Sequence, residues 1–246
     1  MTRFLAIAAW ALLACSSGPV QVSPPPPPPP PPPTGAVRLL FIGNSLTYAY
    51  NIPGLVKQMS TAAGLIEPYT VSATYPDYAL EDHWVSGTAR SDITQRFDRV
   101  IMQQGPSTLP ESGVALTQWT STWSDEARKY GARPGLYVVW PPRGGDLAAG
   151  IANHEAAAAA ANAALYPVAH AWREAWSVDP AMPLYGPDQF HPSQHGSWLA
   201  ALIITAMVHD RPVGDFPNLF PAQITATQER VLRAAATKAI ALYGRR

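Results

Sequence analysis

Two short runs in this sequence hold residue types that do chemistry together. The first is Gly43-Asn44-Ser45-Leu46-Thr47, directly after the apolar run Val37-Arg38-Leu39-Leu40-Phe41-Ile42. The second, far along the chain, is Asp188-Gln189-Phe190-His191-Pro192. A serine hydroxyl is a poor nucleophile near neutral pH. It needs a base to take its proton, and the base needs a group that orients it. Asp188 and His191 are three residues apart, a spacing at which side chains on one turn face each other. Asp188 then holds one ring nitrogen of His191 and leaves the other for the Ser45 proton. Taken alone, the Asn44-Ser45 pair also reads as a turn and a helix cap, since both residue types do that work.

The surrounding elements favour the chemical reading. The run at 37–42 has the near-continuous apolar character of a buried parallel strand. Further strands are expected at 69–73, 100–102 and 136–140. Helices are expected at 52–63, 114–130, 147–164, 168–176, 193–209 and 225–242, with Pro167 breaking the pair on either side of it. Pro53 suits a first helical turn, and Gly64 and Gly131 suit helix stops. Strands alternating with helices predict an α/β fold, with a parallel sheet covered on both faces. Ligands of such sheets bind outside the carboxyl ends of the strands, which is where Ser45 falls.

Composition narrows the function classes. The chain has 246 residues, 47% hydrophobic and 14% charged, with 17 Lys+Arg balancing 17 Asp+Glu. That suits a packed globular domain and gives no basic stripe for nucleic acid. A single cysteine, Cys15, excludes an intramolecular disulfide and a cysteine-rich metal site. Arg3 precedes an apolar stretch at 4–14 that is too short to span a bilayer and reads as an export signal. The junction Leu12-Leu13-Ala14-Cys15 resembles the bacterial lipobox, in which the cysteine is acylated and anchors the mature protein to a membrane of the cell envelope. The simpler alternative is a secretory peptide cleaved near Cys15 or Ser17. Pro24 to Pro33 form a tract of ten prolines, a polyproline II spacer of about 31 Å. The expected organisation is signal and lipobox at 1–15, a proline-rich linker at 16–35 and one domain at 36–246.

The runs Gly43-Asn44-Ser45 and Asp188-x-x-His191-Pro192, in that order and separation, resemble the first and last blocks of the SGNH (GDSL-like) hydrolases. The resemblance spans residues 37 to about 210. It implies a three-layer α/β/α, flavodoxin-like fold and an esterase, lipase or carbohydrate deacetylase activity. It also implies a catalytic triad of Ser45, His191 and Asp188 that uses no metal or organic cofactor. The family builds its oxyanion hole from the serine N–H, a glycine N–H after the second strand and an asparagine side chain after the third. This chain departs from that pattern at both of the latter places. After the second strand it reads Thr74-Tyr75-Pro76-Asp77-Tyr78-Ala79-Leu80, with no glycine. Asp77 or Tyr78 could offer a backbone N–H there, although Asp77 would bring negative charge toward a developing oxyanion. After the third strand it reads Gln103-Gln104-Gly105-Pro106-Ser107-Thr108, with Ser107 where asparagine is expected. Gln103, Gln104 and Ser107 are therefore candidate side-chain donors beside the Ser45 N–H. Strand alternation sends the two glutamines to opposite faces, and Gln103, first after the apolar run, is favoured.

Asn44, His83 and Trp84 are the candidate pocket residues, with Trp140 next by its strand-end position; the other histidines read as structural. The expected partner is an ester substrate such as an acylated carbohydrate, with oligomeric state left open. Two other activities fit the same sequence. One is a glycan-binding domain of this fold with reduced catalysis. The other is an O-acyltransferase, in which a sugar hydroxyl replaces water.

Overall fold

The computed structural model describes residues 33–244. Cys15, the export signal and nearly all of the proline tract lie outside the described residues. The described chain forms a five-stranded parallel sheet with helices on both faces. The strands are β1 (Arg38–Gly43), β2 (Tyr69–Thr74), β3 (Arg99–Met102), β4 (Arg133–Tyr137) and β5 (Ala164–Tyr166), in the spatial order β2-β1-β3-β4-β5. This is the flavodoxin-like order, in which β1 and β3 flank the switch point where ligands bind.

Alternation along the strands explains why both faces are apolar. Leu39, Phe41, Ile101 and Tyr137 point to one face. There they meet α2 (Ile52–Ala62), α7 (Val168–Val178), α8 (Gln194–His209) and α9 (Ala226–Tyr243). Leu40, Ile42, Val100, Met102 and Leu136 point to the other. They meet α3 (Leu80–Ser86), α4 (Thr88–Ile93), α5 (Pro110–Lys129) and α6 (Leu147–Ala160). All of α8 except its first and last residues is buried, as expected of a helix apolar on every side. Its start is fixed by Ser193, whose hydroxyl accepts the His195 and Gly196 N–H groups. A reciprocal pair, Thr225 and Gln228, caps α9 in the same way.

Three expectations need correction. β4 begins at Arg133, and residues 138–140 are buried beyond its end. Pro134 and Gly135 hide the strand's pattern from the sequence. Pro134 is tolerated because β5 pairs only from Gly135 onward. A Cβ on Gly135 would come within 2.4 Å of the Tyr166 ring. The helix expected at 147–164 stops at Ala160, and Asn162 turns the chain at φ 48°. Three residues of β5 follow, too short a strand for a period-two pattern to stand out after an alanine-rich helix. The third correction is that α3 and α4 occupy a stretch with no helical expectation from its pattern.

Candidate active site

Ser45 opens a four-residue helix, α1 (Ser45–Tyr48), at the carboxyl end of β1. Asn44 caps that helix and ties it down. Its Oδ1 accepts the Leu46 N–H at 3.2 Å, and its Nδ2 donates to Tyr78 O at 3.0 Å. The Asn44 N–H donates to Gln103 Oε1 at 2.9 Å, and the Thr47 hydroxyl donates to the same oxygen at 2.9 Å. Gly43 allows this approach, since a Cβ there would lie 2.6 Å from Gln103 Oε1. Beneath the turn, His83 Nε2–H donates to Gly43 O at 2.8 Å. These bonds fix the backbone on both sides of Ser45. Among the described residues, the Ser45 N–H, at the first helical position, has no partner.

Asp188 and His191 meet as their spacing predicted. Asp188 Oδ2 accepts the His191 Nδ1–H at 2.5 Å, while Oδ1 accepts the backbone N–H groups of Phe190 and His191 at 3.0 and 2.9 Å. The hydrogen bond from His191 is the main cause holding the Asp188 carboxyl below the usual carboxylate range. The loop is fastened to residues just past β4. Trp140 Nε1–H donates to Phe190 O at 2.9 Å, the Tyr185 hydroxyl donates to Pro141 O at 2.6 Å, and the Arg143 N–H donates to Gln189 O at 2.9 Å. Ser45 and His191 thus stand at the same edge of the sheet. They make no hydrogen bond to each other in this structure. Such bonds often close only around substrate.

A cavity of about 390 Å³ opens beside Asn44. Asp77, Tyr78, Gln104, Ser107 and Leu109 are among its walls. Asp77 adopts φ 60°, a left-handed conformation that glycine takes freely and aspartate tolerates better than most residues. The chain therefore makes the turn after β2 without the missing glycine. The neighbouring N–H groups are engaged, Tyr78 with Tyr75 O, Ala79 with Asp82 Oδ2 and Leu80 with Gln104 Oε1. The Asp77 N–H has no partner.

The preference for Gln103 as the side-chain donor does not survive. Gln103 is buried, its Oε1 faces the Asn44 N–H and the Thr47 hydroxyl, and its Nε2 donates to Gln104 O at 2.8 Å. Both ends of the amide help to hold the turn, and Gln103 is not among the residues that line the cavity. Gln104 reaches the cavity instead. Its Nε2 makes one long bond of 3.3 Å to Ser107 Oγ, which leaves an amide hydrogen available. Ser107 lines the same cavity, but its hydroxyl donates to Gly105 O at 3.1 Å.

The aromatic pocket candidates are also relocated. His83 is fully buried, packed between Tyr75 and Tyr78, and burial pushes its pKa down. Trp84 packs edge-on against Trp123 under the Arg90 guanidinium, in the α3–α6 layer. Trp140 is fully buried, stacked 3.6 Å from Trp172. None of the three lines the cavity beside Ser45. Asn44 does, although its side chain is held at both ends. His154, His170 and His209 bond within the helical layers, to Gly150 O, Glu155 and Ser60. Of the two residues the sequence offered for a backbone N–H here, Tyr78 is engaged and Asp77 stands at positive φ, where a glycine was expected.

No family model and no curated protein matches the sequence. Solved structures do. A candidate SGNH hydrolase from Slackia heliotrinireducens is 28% identical, with TM-score 0.58 over 69% of this chain and 97% of that one. A DUF4886 family protein from Bacteroides uniformis is 16% identical, with TM-score 0.66 over 84% of this chain and 95% of that one. An acetyl xylan esterase is 13% identical, with TM-score 0.59 over 70% of this chain and all of the other.

Proposed function

We propose that this chain, a member of the SGNH hydrolase family, is a serine esterase that cleaves short acyl esters with Ser45, His191 and Asp188. His191 Nε2 takes the Ser45 proton as Oγ attacks the ester carbonyl. The oxyanion of the tetrahedral intermediate meets the N–H groups of Ser45 and Asp77 and the Gln104 amide. His191 then protonates the leaving alkoxide, and the C–O bond breaks to give an acyl-serine. Water, deprotonated by His191, attacks the acyl carbon and releases the acid. Asp188 keeps the proton of His191 on Nδ1, so Nε2 faces the reaction.

The observation that carries this reading is the pairing of His191 Nδ1 with Asp188 Oδ2, at the sheet edge where the Ser45 N–H has no partner. A neighbour of the same fold is described as an acetyl xylan esterase. That supports acetyl esters of carbohydrate as substrates. The lipobox-like Cys15 supports anchoring at the cell envelope; mass spectrometry of the mature N-terminus should find Cys15 acylated, and an unmodified terminus well beyond it would refute the anchor. An active-serine phosphonate probe should label wild-type protein at Ser45 and leave Ser45→Ala unlabelled. Absence of labelling would return the chain to the glycan-binding reading. Labelling with turnover only when a sugar acceptor is added would make it an acyltransferase.

A further inference from the structure

The cavity and the base belong to opposite layers of the fold. His191 precedes α8, in the layer with α2, and its loop is fastened to residues beyond β4. The cavity lies between the segments after β2 and β3 and the start of α5, in the other layer. In ester cleavage the leaving oxygen must face the acid that protonates it. The alcohol part of the substrate therefore departs on the His191 side, and the acyl part occupies the cavity. Among the described residues that line this cavity, Asp77 alone carries a charged side chain. No lysine or arginine lines it to offset that carboxylate. Asp77 also forms no ion pair among the described contacts.

We propose that the Asp77 carboxylate makes Asp77 a specificity-determining residue, selecting neutral acyl groups and rejecting acyl groups that end in a carboxylate. The inference rests on the esterase reading and names the acyl class of that same site. The physical cause is like-charge repulsion at the cavity wall, where no cation compensates. The position calls for a residue that tolerates positive φ, which limits what can stand there. Asparagine tolerates it as aspartate does, so Asp77→Asn removes the charge and keeps the turn and its N–H.

The test compares p-nitrophenyl valerate with mono-p-nitrophenyl glutarate, five-carbon acyl groups that differ in the terminal carboxylate. Ser45→Ala supplies the background for each. Wild type should prefer valerate in kcat/KM. Asp77→Asn should raise the glutarate-to-valerate ratio about threefold to tenfold, as expected for one partly screened charge at close range. Added salt should raise the same ratio in wild type and leave it nearly flat in Asp77→Asn. An unchanged ratio in Asp77→Asn, with valerate still turned over, overturns the proposal and leaves the esterase reading intact. Loss of valerate turnover in wild type, down to the Ser45→Ala background, overturns both.

Discussion

The nucleophile and the base are held in opposite ways. The turn at Ser45 is set from below by buried groups. Gln103 and His83 are almost wholly inaccessible, and their hydrogen bonds to Asn44 N–H, Thr47 and Gly43 O leave the backbone little freedom. The base sits on a surface loop where the Asp188 side chain is 51% and the His191 side chain 33% exposed. That loop is held by its own short bonds and by three contacts to residues 140, 141 and 143. A buried amide left unpaired costs its full desolvation, whereas an exposed one can turn to water. The buried groups that set the nucleophile turn should therefore fail together with the fold. The base half should fail in rate alone.

The largest expected effect is removal of the reacting groups, which should cost rate alone in both halves. Ser45→Ala and His191→Ala should each lower kcat by about 10⁴ to 10⁶ with no loss of thermal stability, and the double variant should be little worse than either single one. Asp188→Asn should retain more activity than His191→Ala, because the base remains while its orientation is lost. Strictly additive losses in the Ser45/His191 double variant would show that the two do not act as a unit.

The two glutamines divide the contrast further. Gln104→Ala removes a donor facing the cavity, and its kcat should fall about 10²-fold to 10³-fold with KM little changed; it also takes the acceptor from the Leu80 N–H, so a smaller loss of stability accompanies it. Gln103→Ala leaves the buried Asn44 N–H without an acceptor, and unfolding free energy should drop by about 2 to 4 kcal/mol. Urea melts and steady-state kinetics of both variants separate the roles. Gln104→Ala with full activity would leave the oxyanion to backbone N–H groups alone.

The sequence showed one half of the site better than the other for the same structural reason. Asp188 and His191 bond within a single turn, so their spacing was enough to foresee the contact. Gln103 meets Asn44 across two strands, 59 residues apart. A glutamine at a strand end reads equally as a donor to a ligand or as an acceptor for the backbone. Only the register of β1 on β3, with Ile42 beside Met102, turns its oxygen toward Asn44. Asp77 was obscure because backbone conformation, not residue type, places its N–H. The parallel sheet, covered on both faces, was legible from the alternating elements. β5 was lost because Ala164, Leu165 and Tyr166 follow an alanine-rich helix without a visible boundary.

Acid should act on the fold through its buried histidines. Burial lowers the pKa of His83 beneath the nucleophile turn, and that of His154 in the α6 layer falls to about 4. The unfolded chain protonates these rings near pH 6.5, while the folded chain resists. Below about 6.5 the unfolded state therefore binds more protons, and stability falls with pH. For His154 the loss should reach about 3 kcal/mol by pH 4 and level off below it. His154→Gln should flatten that slope in urea melts taken across the window.

The smallest expected effect probes the fastening of the base loop. Tyr185 donates its hydroxyl to Pro141 O at 2.6 Å and pairs with Pro192 across a single β-bridge, next to His191. Tyr185→Phe removes that one oxygen and keeps the ring packed against Trp172 and Trp176. A typical net hydrogen bond contributes about 1 kcal/mol. If the bond acts only on the fold, Tm drops slightly and kcat is unchanged. If it aims His191, kcat falls about fivefold, the rate equivalent of the same energy, with KM and the Ser45 labelling site unaltered. The second outcome is expected, because Trp140 and Arg143 hold the loop's Gln189-Phe190 side, while its Pro192 side is bonded to the 183–186 segment, through Leu184 O and the Gly186 N–H, and Tyr185 ties that segment to Pro141. An unchanged kcat would mean that the carboxylate of Asp188 orients the base unaided.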